Sequence, residues 1–247
     1  MEVIAIVNRK GGVGKTATAQ ALGAGLIRRK KKVLYVDLDS QTNLTYGTGA
    51  SLDGLNSMDV LTGDATAEQA IQKTQQGDII AGSETLAAAD AAIDGTGKEY
   101  RLKEAIAELK YDYIIIDTPA QLGTLTVNAL TAANSVIIPV QAEVYSLQGI
   151  GQLNKAIEAV KKYCNPALSI RGILITRYNG RAVISKDMQS NLAEAAEQLK
   201  TRLYSTPIRK CVSIKEAQAS QTDIYSYAPR SNAAIDYEDF IKEFMKG

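Results

Sequence analysis

The residues most capable of chemistry form a glycine-rich run near the start of the chain, Lys10-Gly11-Gly12-Val13-Gly14-Lys15-Thr16. An apolar run before it predicts a strand, and a helical pattern follows it. A glycine-rich loop between a strand and a helix directs several backbone N–H groups at one point, which makes a site for an anion such as phosphate. Lys15 would place a positive charge on the β and γ phosphates of a nucleotide, and the Thr16 hydroxyl is suited to Mg²⁺.

The same run departs from the general P-loop pattern G-x-x-x-x-G-K-[ST] at its first position. That pattern requires glycine at position 9, where this chain has Arg9, and the next residue is a second lysine, Lys10. A lone glycine-rich turn could be a flexible loop, but here the strand, the turn and the helix all stand where phosphate binding needs them. We therefore predict nucleotide contacts from Gly11, Gly12, Val13, Gly14, Lys15, Thr16 and Ala17.

Three aspartates follow two other apolar runs of the sequence. Asp37 and Asp39 come after one run, and Asp117 comes after another. Each of them alone is better explained as a solvated carboxylate at a strand end or a helix cap. Parallel sheets bind ligands at the carboxyl ends of their strands, so three such carboxylates beside a phosphate loop favour a role in chemistry. We predict that Thr16, Asp39 and Asp117 bind Mg²⁺ directly or through water.

The elements that must hold these residues follow from the hydrophobic pattern. Short runs rich in Val and Ile alternate with helical patterns, which predicts an α/β fold: a single P-loop NTPase domain over residues 1–247, with a mostly parallel sheet flanked by helices on both faces. Strands are predicted at residues 3–7, 33–36, 114–116, 136–140 and 170–175. Helices are predicted at 16–29, 124–133, 147–163, 186–202 and 236–246, with less regular helices between 65 and 109. Segment 83–97 indicates a helix or a mobile surface loop.

Composition removes several classes of function. The 247 residues include no histidine, which excludes imidazole bases and His-ligated metals. Cys164 and Cys211 form no CxxC pair, so a disulfide framework or a cluster site has no support. The 28 basic and 27 acidic residues nearly cancel, so an anionic partner must meet a local patch. No apolar stretch approaches the ~20 residues that span a bilayer and no signal peptide is recognisable, so we expect a cytoplasmic protein without a stable membrane anchor.

With Lys10 and Lys15 both present, the phosphate loop resembles the deviant Walker A box of the ParA/MinD superfamily. Residues 37–43, Asp-Leu-Asp-Ser-Gln-Thr-Asn, resemble the D-x-D-P-Q-x-N switch of that family, and residues 114–120, Ile-Ile-Ile-Asp-Thr-Pro-Ala, resemble its D-x-P-P segment. Val-Asn-Ala-Leu at 127–130 and Pro-Val-Gln-Ala-Glu at 139–143 are similar to stretches of the ParA/Soj branch. The resemblance covers nearly the whole chain and is weakest between residues 51 and 97.

Two departures from the family pattern bear on the rigidity of the switch more than on its chemistry. Ser40 stands where the family has proline, and Ala120 replaces the second proline after Asp117. Both leave the carboxylates in place. The chain also lacks the N-terminal helix-turn-helix extension of the larger plasmid ParA proteins, so a sequence-specific repressor is not expected.

The resemblance implies a Mg²⁺-dependent ATPase that dimerises around its nucleotide. Lys15 and, from the partner subunit, Lys10 would neutralise charge on the phosphates, while Asp39 would orient the attacking water and Asp37 would support it. Glu143 is open to two interpretations, a residue near the dimer interface or an ordinary surface carboxylate. The adenine is expected near two late loops, with contacts from Arg177, Pro207 and Ile208.

Several outputs fit such a switch. It could bind nonspecific DNA to segregate or position a plasmid, chromosome or mobile element, it could be a membrane-associated positioning ATPase of the MinD kind, or it could transfer electrons or clusters as the nitrogenase iron protein does. The missing CxxC disfavours the last, and the acidic residues of segment 236–246 disfavour membrane binding. A nonhydrolysing nucleotide-dependent scaffold is the alternative from another class, and Asp39 argues against it.

We therefore expect an ATP-dependent homodimer that binds nonspecific duplex DNA, associates with the nucleoid and is stimulated by a ParB-like DNA-binding partner. The competing basic run at 28–32 is better explained as a solvated turn that complements the end of the preceding helix. The DNA contacts are predicted in a basic patch of the C-terminal third that contains Arg202, Arg209, Lys210, Lys215 and Arg230.

Overall fold

One twisted sheet organises the protein. The computed structural model describes residues 1–143, 146–180 and 183–246, without the side chains of 183–186. In that part of the chain the strands are β1 Glu2–Ile6, β2 Val33–Asp37, β3 Ile71–Thr74, β4 Gly77–Ile80, β5 Tyr113–Asp117, β6 Ser135–Gln141 and β7 Ser169–Thr176. Their order is β3-β4-β2-β5-β1-β6-β7, and every neighbouring pair is parallel except the hairpin of β3 and β4.

Helices connect these strands and cover both faces of the sheet. They are α1 Lys15–Arg28, α2 Asn43–Thr48, α3 Ser57–Thr62, α4 Ala67–Ala70, α5 Ala89–Ala92, α6 Arg101–Ile106, α7 Thr124–Ala132, α8 Ser146–Tyr163, α9 Val183–Gln198, α10 Ser213–Ala219, α11 Ile224–Tyr227 and α12 Asn232–Met245. Short 3₁₀ turns lie at Glu84–Ala88 and Lys98–Tyr100. The parallel strands all end at one edge of the sheet, and that edge is where the predicted site residues lie.

Two hydrophobic cores lie on opposite faces of the sheet because successive side chains of a strand alternate. In β1, Val3 and Ala5 belong to the core beneath α3, α6, α7, α8 and α9. Ile4 and Ile6 belong to the other core, which α1 and the C-terminal helices cover. Central strands that are buried on both faces explain the unbroken apolar runs in the sequence.

The C-terminal helix α12 docks on the second core. The Ser231 side chain caps its start by accepting a hydrogen bond from Ala234 N at 3.2 Å. Phe240 and Phe244 are fully buried, and the edge of Tyr204 contacts Phe240 with ring centroids 4.8 Å apart. This confirms that the apolar face of the predicted helix packs on the protein, although the helix begins four residues before the predicted position 236.

The five predicted strands are confirmed, with ends that shift by one residue, but the helical prediction for 65–109 is wrong in part. Residues 71–80 form the β3–β4 hairpin, which extends the sheet beyond β2. The two strands have four residues each and lack regular alternation, so no periodic signal identifies them. Gly77, at φ 117°, begins the second strand in a backbone conformation that favours glycine. Segment 83–97 is helical from residue 84 to residue 92, in agreement with one of its two interpretations.

The predicted helix at 186–202 ends earlier than expected, at Gln198. The chain after it runs alongside the edge strand β7: Ile173 N donates to Arg202 O at 2.9 Å, and Lys210 N donates to Tyr178 O at 3.1 Å. Residues 200–210 therefore connect opposite ends of the sheet. No helix in the described part of the chain is both long enough and apolar enough to cross a membrane.

Candidate functional site

A cleft of about 960 Å³ opens at the carboxyl ends of the parallel strands. Its walls come from the loop after β1, the turn after β2, the loop after β5 and the segment after β7. Of the residues predicted for nucleotide and metal binding, those that line the cleft are Gly11, Gly12, Gly14, Lys15, Thr16, Ala17, Asp39, Arg177 and Ile208. Sequence-distant residues are thus brought together in one place, as the position of the strand ends requires.

Two glycines of the phosphate loop have backbone conformations that favour glycine. Gly12 has φ 73° and Gly14 has φ 90°, both in the left-handed region. Gly14 occupies the cap position of α1, so the chain turns directly into the helix at Lys15. The first backbone amides of any α-helix have no intrahelical partner, and here they stand at the floor of the cleft. This arrangement can bind the phosphates of a nucleotide.

Side chains from β6 and β7 hold the carbonyl groups of the loop. Thr176 Oγ1 donates to Val13 O at 2.5 Å. Gln141 Nε2 and Arg177 Nη1 both donate to Gly12 O, at 2.9 Å and 3.0 Å. Because the carbonyl oxygens are bonded on the protein side, the loop is held with its N–H groups available to an anion. The sequence analysis missed Thr176 and Gln141, although their places at strand ends could have indicated them.

Lys15 lies between the loop and two aspartates. Its side chain is buried, and this burial lowers the pKa of the ammonium group, while the charges of Asp117 and Asp39 act in the opposite direction. A buried cation that faces a cleft is strongly stabilised when phosphate binds there. Lys15 therefore lines the cleft, and its contact with phosphate stays a prediction.

Asp117 is fully buried at the end of β5 and is hydrogen-bonded to Thr16. Its Oδ2 accepts a hydrogen bond of 2.6 Å from Thr16 Oγ1, whereas its buried Oδ1 has no hydrogen-bond partner among the described residues. Burial, followed by the nearby charge of Asp37, raises the pKa of Asp117 well above its ordinary value. A buried carboxylate with an unpaired oxygen beside a hydroxyl is suited to a hydrated cation.

These residues fit Mg²⁺, provided that the nucleotide completes its coordination. The described residues contain no group of three or more His, Cys, Asp or Glu side chains that could hold a metal ion alone. Mg²⁺ commonly takes one or two protein ligands together with substrate phosphates and waters. Thr16 would be the protein ligand, and Asp117 would accept hydrogen bonds from its waters.

Asp37 and Asp39 have different environments although they are two residues apart. Asp37 is fully buried and accepts hydrogen bonds from Thr45 N at 2.9 Å, Thr45 Oγ1 at 2.8 Å and Asp39 N at 3.1 Å. Burial raises its pKa to about 6, against those hydrogen bonds. Asp39 lines the cleft, and its Oδ1 accepts from Gln41 N at 3.0 Å. Asp37 therefore supports the turn, and Asp39 is the one of the two that lines the cleft.

Lys10 does not line the cleft of its own chain. Its ammonium group is about half exposed and forms an ion pair with Glu143, which lies after β6. The neighbouring Arg9 donates to Gln152 of α8. The second lysine of the loop is thus directed away from the nucleotide cleft of the same subunit.

The two loops predicted to contact adenine lie near the cleft, but not every residue predicted for this contact lines it. Ile208 lines the cleft together with Val212 and Ile214, which makes an apolar end suited to a planar base. Pro207 does not line it. Arg177 lies at the phosphate loop rather than at this apolar end, and it has φ 51° in the left-handed region.

The five basic residues predicted to contact DNA do not form one patch. Arg202 lies beside Ile173, and Lys210 lies beside Tyr178. The extended chain from Ile173 to Tyr178 is about 17 Å long, and this length separates Arg202 from Lys210 along the edge of the sheet. Arg209 forms a bidentate ion pair with Asp236 of α12, with Nη2 to Oδ1 at 2.6 Å. Of the other members, Lys210, Lys215 and Arg230 are exposed, and the first two line the cleft.

Comparisons with known proteins indicate one family. A family model described as an AAA domain matches residues 1–170. The sporulation initiation inhibitor protein Soj of Bacillus subtilis is 40% identical over 98% of this chain and 97% of that protein. The chromosome-partitioning ATPase Soj of Treponema pallidum is 34% identical over 99% and 97% of the two chains. The structure of cobyrinic acid a,c-diamide synthase from Mycobacterium smegmatis, with bound ATP analog and magnesium, has a TM-score of 0.86 at 34% identity and covers 100% of this chain and 95% of that chain.

Replacing Asp117 by Asn is expected to raise the melting temperature of the nucleotide-free protein near neutral pH and to abolish Mg²⁺-dependent nucleotide binding. The pKa of Asp117 is higher in the folded protein than in the unfolded chain, so the folded protein binds the carboxyl proton more tightly. The stability that this proton contributes to the folded protein is therefore lost as the pH rises. The advantage of Asn should therefore shrink as pH falls toward about 4. Thermal unfolding of both proteins, followed by circular dichroism between about pH 4 and neutral pH, measures this difference in melting temperature. Exposed Asp94→Asn is the control, and a less stable Asp117→Asn protein at neutral pH would contradict this explanation.

Proposed function

The chain belongs to the ParA/Soj family of partition ATPases, and from that premise we propose that it is an ATP-dependent dimerising switch that segregates or positions a DNA cargo. It hydrolyses ATP, and its cofactors are ATP and Mg²⁺. The observation that carries the proposal is the convergence of Lys15, the Thr16–Asp117 pair and Asp39 on one cleft.

Transfer of a phosphoryl group to water needs cations, a positioned nucleophile and little else from the protein. Lys15 and the amides of the phosphate loop would bind the β and γ phosphates. Thr16 would hold Mg²⁺ and Asp117 would accept hydrogen bonds from its waters, and the ion would supply further positive charge at the phosphates. Asp39 would accept a proton from the attacking water or orient it, because it is the carboxylate that faces the cleft.

Dimerisation would depend on Lys10. This lysine is directed away from its own cleft, so the phosphates that it can neutralise are those of a second subunit. Glu143 holds it in the isolated chain through an exposed pair, which contributes at most about 1 kcal/mol and is readily exchanged for a phosphate. ATP bound between two subunits would couple nucleotide to association by mass action, and hydrolysis would release the dimer.

The output would be nonspecific DNA binding by the ATP dimer, with association with the nucleoid and stimulation by a ParB-like partner. Among the described ion pairs, none involves Lys210, Lys215 or Arg230, so these three cations are available to DNA phosphates. The two copies in a dimer double the number of phosphates contacted, and that number sets the affinity and its salt dependence.

Lys15→Ala and Lys10→Ala should separate nucleotide binding from dimerisation. Lys15→Ala is expected to weaken ATP binding by roughly 10- to 100-fold, since a charged hydrogen bond contributes about 1.5–3 kcal/mol. Lys10→Ala should keep the ATP affinity of the monomer and lose ATP-dependent dimerisation. Calorimetry and light scattering measure the two properties. A Lys10→Ala protein that dimerises normally would exclude the cross-subunit role.

Asp39→Ala is expected to lower kcat by about 100-fold or more, because a positioned acid or base contributes that much to a proton transfer. Binding of ATP and formation of the dimer should be retained, so the dimer should persist. Steady-state phosphate release and light scattering on the same samples test both parts. Unchanged phosphate release would remove Asp39 from the catalytic assignment and would leave the site without its water-orienting carboxylate.

The variant Arg230→Gln, whose arginine does not line the cleft, should bind random duplex DNA more weakly while it still dimerises with ATP. The slope of binding affinity against salt should fall by about one for each DNA phosphate that the variant no longer neutralises. Fluorescence anisotropy of labelled DNA, with and without ATP, measures both quantities. Lys200→Gln, an exposed lysine at the opposite end of the sheet, is the matched control. Equal losses of affinity in Lys200→Gln and Arg230→Gln would show that Arg230 does not belong to the DNA-binding surface.

A further inference from the structure

Two buried glutamines form a hydrogen-bonded unit beside the catalytic cleft. Gln20 lies in α1, one turn beyond the phosphate loop, and is 4% exposed. Gln76 lies in the turn between β3 and β4 and is 7% exposed. Gln20 Nε2 donates to Gln76 Oε1 at 2.8 Å. The pair joins the phosphate-binding helix to a hairpin that is more than fifty positions away in sequence.

Both glutamines also bind one carbonyl group of α2. Gln20 Nε2 donates to Gly47 O at 2.9 Å, and Gln76 Nε2 donates to the same oxygen at 2.7 Å. The remaining hydrogen of Gln76 Nε2 is donated to Gln221 O at 2.9 Å. All four side-chain N–H groups of the pair are therefore used. A buried network in which every donor is satisfied holds its members in a single arrangement.

Gly47 allows this close approach. A Cβ at that position would lie 3.2 Å from Gln20 Oε1 and 3.4 Å from Gln20 Nε2, which is tighter than an ordinary contact. Its backbone is helical, so the absence of a side chain here serves space rather than an unusual φ. The glycine therefore lets α1 and α2 come together over the glutamine amide.

Helix α2 positions the turn that carries Asp39. Thr42 caps the start of the helix, and Thr42 N donates to Asp39 O at 2.9 Å. One turn into the helix, Thr45 donates to buried Asp37, which in turn accepts from Asp39 N. A shift of α2 would therefore move Asp39 relative to the cleft.

The same unit contacts the base end of the cleft. Gln221 follows α10, whose Ile214 and Gln218 line the apolar end of the cleft. Tyr46 of α2 donates a hydrogen bond to Ala219 O of α10 at 3.4 Å. Helix α1 follows the phosphate loop, α2 follows the turn that carries Asp39, and α10 lines the base end of the cleft. All three helices thus meet at one buried pair of amides.

We propose that Gln20 and Gln76 are positioning residues for ATP hydrolysis, which hold α2 between α1 and α10 so that Asp39 faces the attacking water. The proposal rests on the role of Asp39 proposed above. Neither glutamine lines the cleft, so they act through α2. The hairpin β3–β4, which the sequence pattern did not predict, carries Gln76 into this network. The hairpin would therefore contribute to ATP hydrolysis through α2.

Gln76→Met tests the proposal because methionine keeps the length of the side chain and removes both donors. The expected result is a fall in kcat of about ten-fold or more, since small displacements of a catalytic group have large effects on rate, with KM for ATP and ADP affinity changed by less than about two-fold. The matched control is Gln72→Met on the same hairpin, whose exposed amide bonds to Ser51. It should retain the kcat of the wild type.

A double variant distinguishes positioning of Asp39 from general damage. If Gln76 acts through Asp39, the variant with both Gln76→Met and Asp39→Ala should turn over no more slowly than Asp39→Ala alone. An additional loss of kcat in the double variant, an unchanged kcat in Gln76→Met, or an equal loss in Gln72→Met would each overturn the proposal. Wild-type turnover that survives Asp39→Ala would instead contradict the function assigned to Asp39, which is a separate failure.

Discussion

Burial of the Asp117 carboxylate at the end of the central strand is the constraint on which the site depends. A carboxylate in the core is unfavourable unless it is hydrogen-bonded or compensated by a cation. In this protein Thr16 supplies one hydrogen bond, Lys15 supplies a charge, and one oxygen has no protein partner among the described residues. A bound Mg²⁺ would compensate this buried charge further.

The sheet delivers the opposing charges to the same place. Strand β5 carries Asp117, β1 leads into the phosphate loop and β2 leads into Asp37, and these three strands are adjacent. On the other side, β6 and β7 provide the side chains that fix the loop carbonyls. Parallel order is what makes this possible, because only then do all the following loops lie at one edge.

Asp37 and Asp39 are two residues apart but differ in their hydrogen-bond partners. Asp37 is surrounded by donors from α2 and the catalytic turn, so it fixes the backbone there. Asp39 is left to face the cleft. The glutamine pair beneath α2 extends this support to the hairpin and to α10, so the turn that carries Asp39 is tied to elements that line the cleft.

The sequence predicted the phosphate loop, the aspartates at the strand ends and five of the seven strands found in the described residues. These features depend on local spacing, on glycine and on unbroken apolar runs, all of which can be recognised in the linear chain. Tertiary structure alone decided which carboxylate faces the cleft, how Thr176 and Gln141 hold the loop, and that Arg202 lies apart from Lys210. Such facts depend on contacts between residues far apart in sequence, and hydrophobic periodicity carries no information about those contacts.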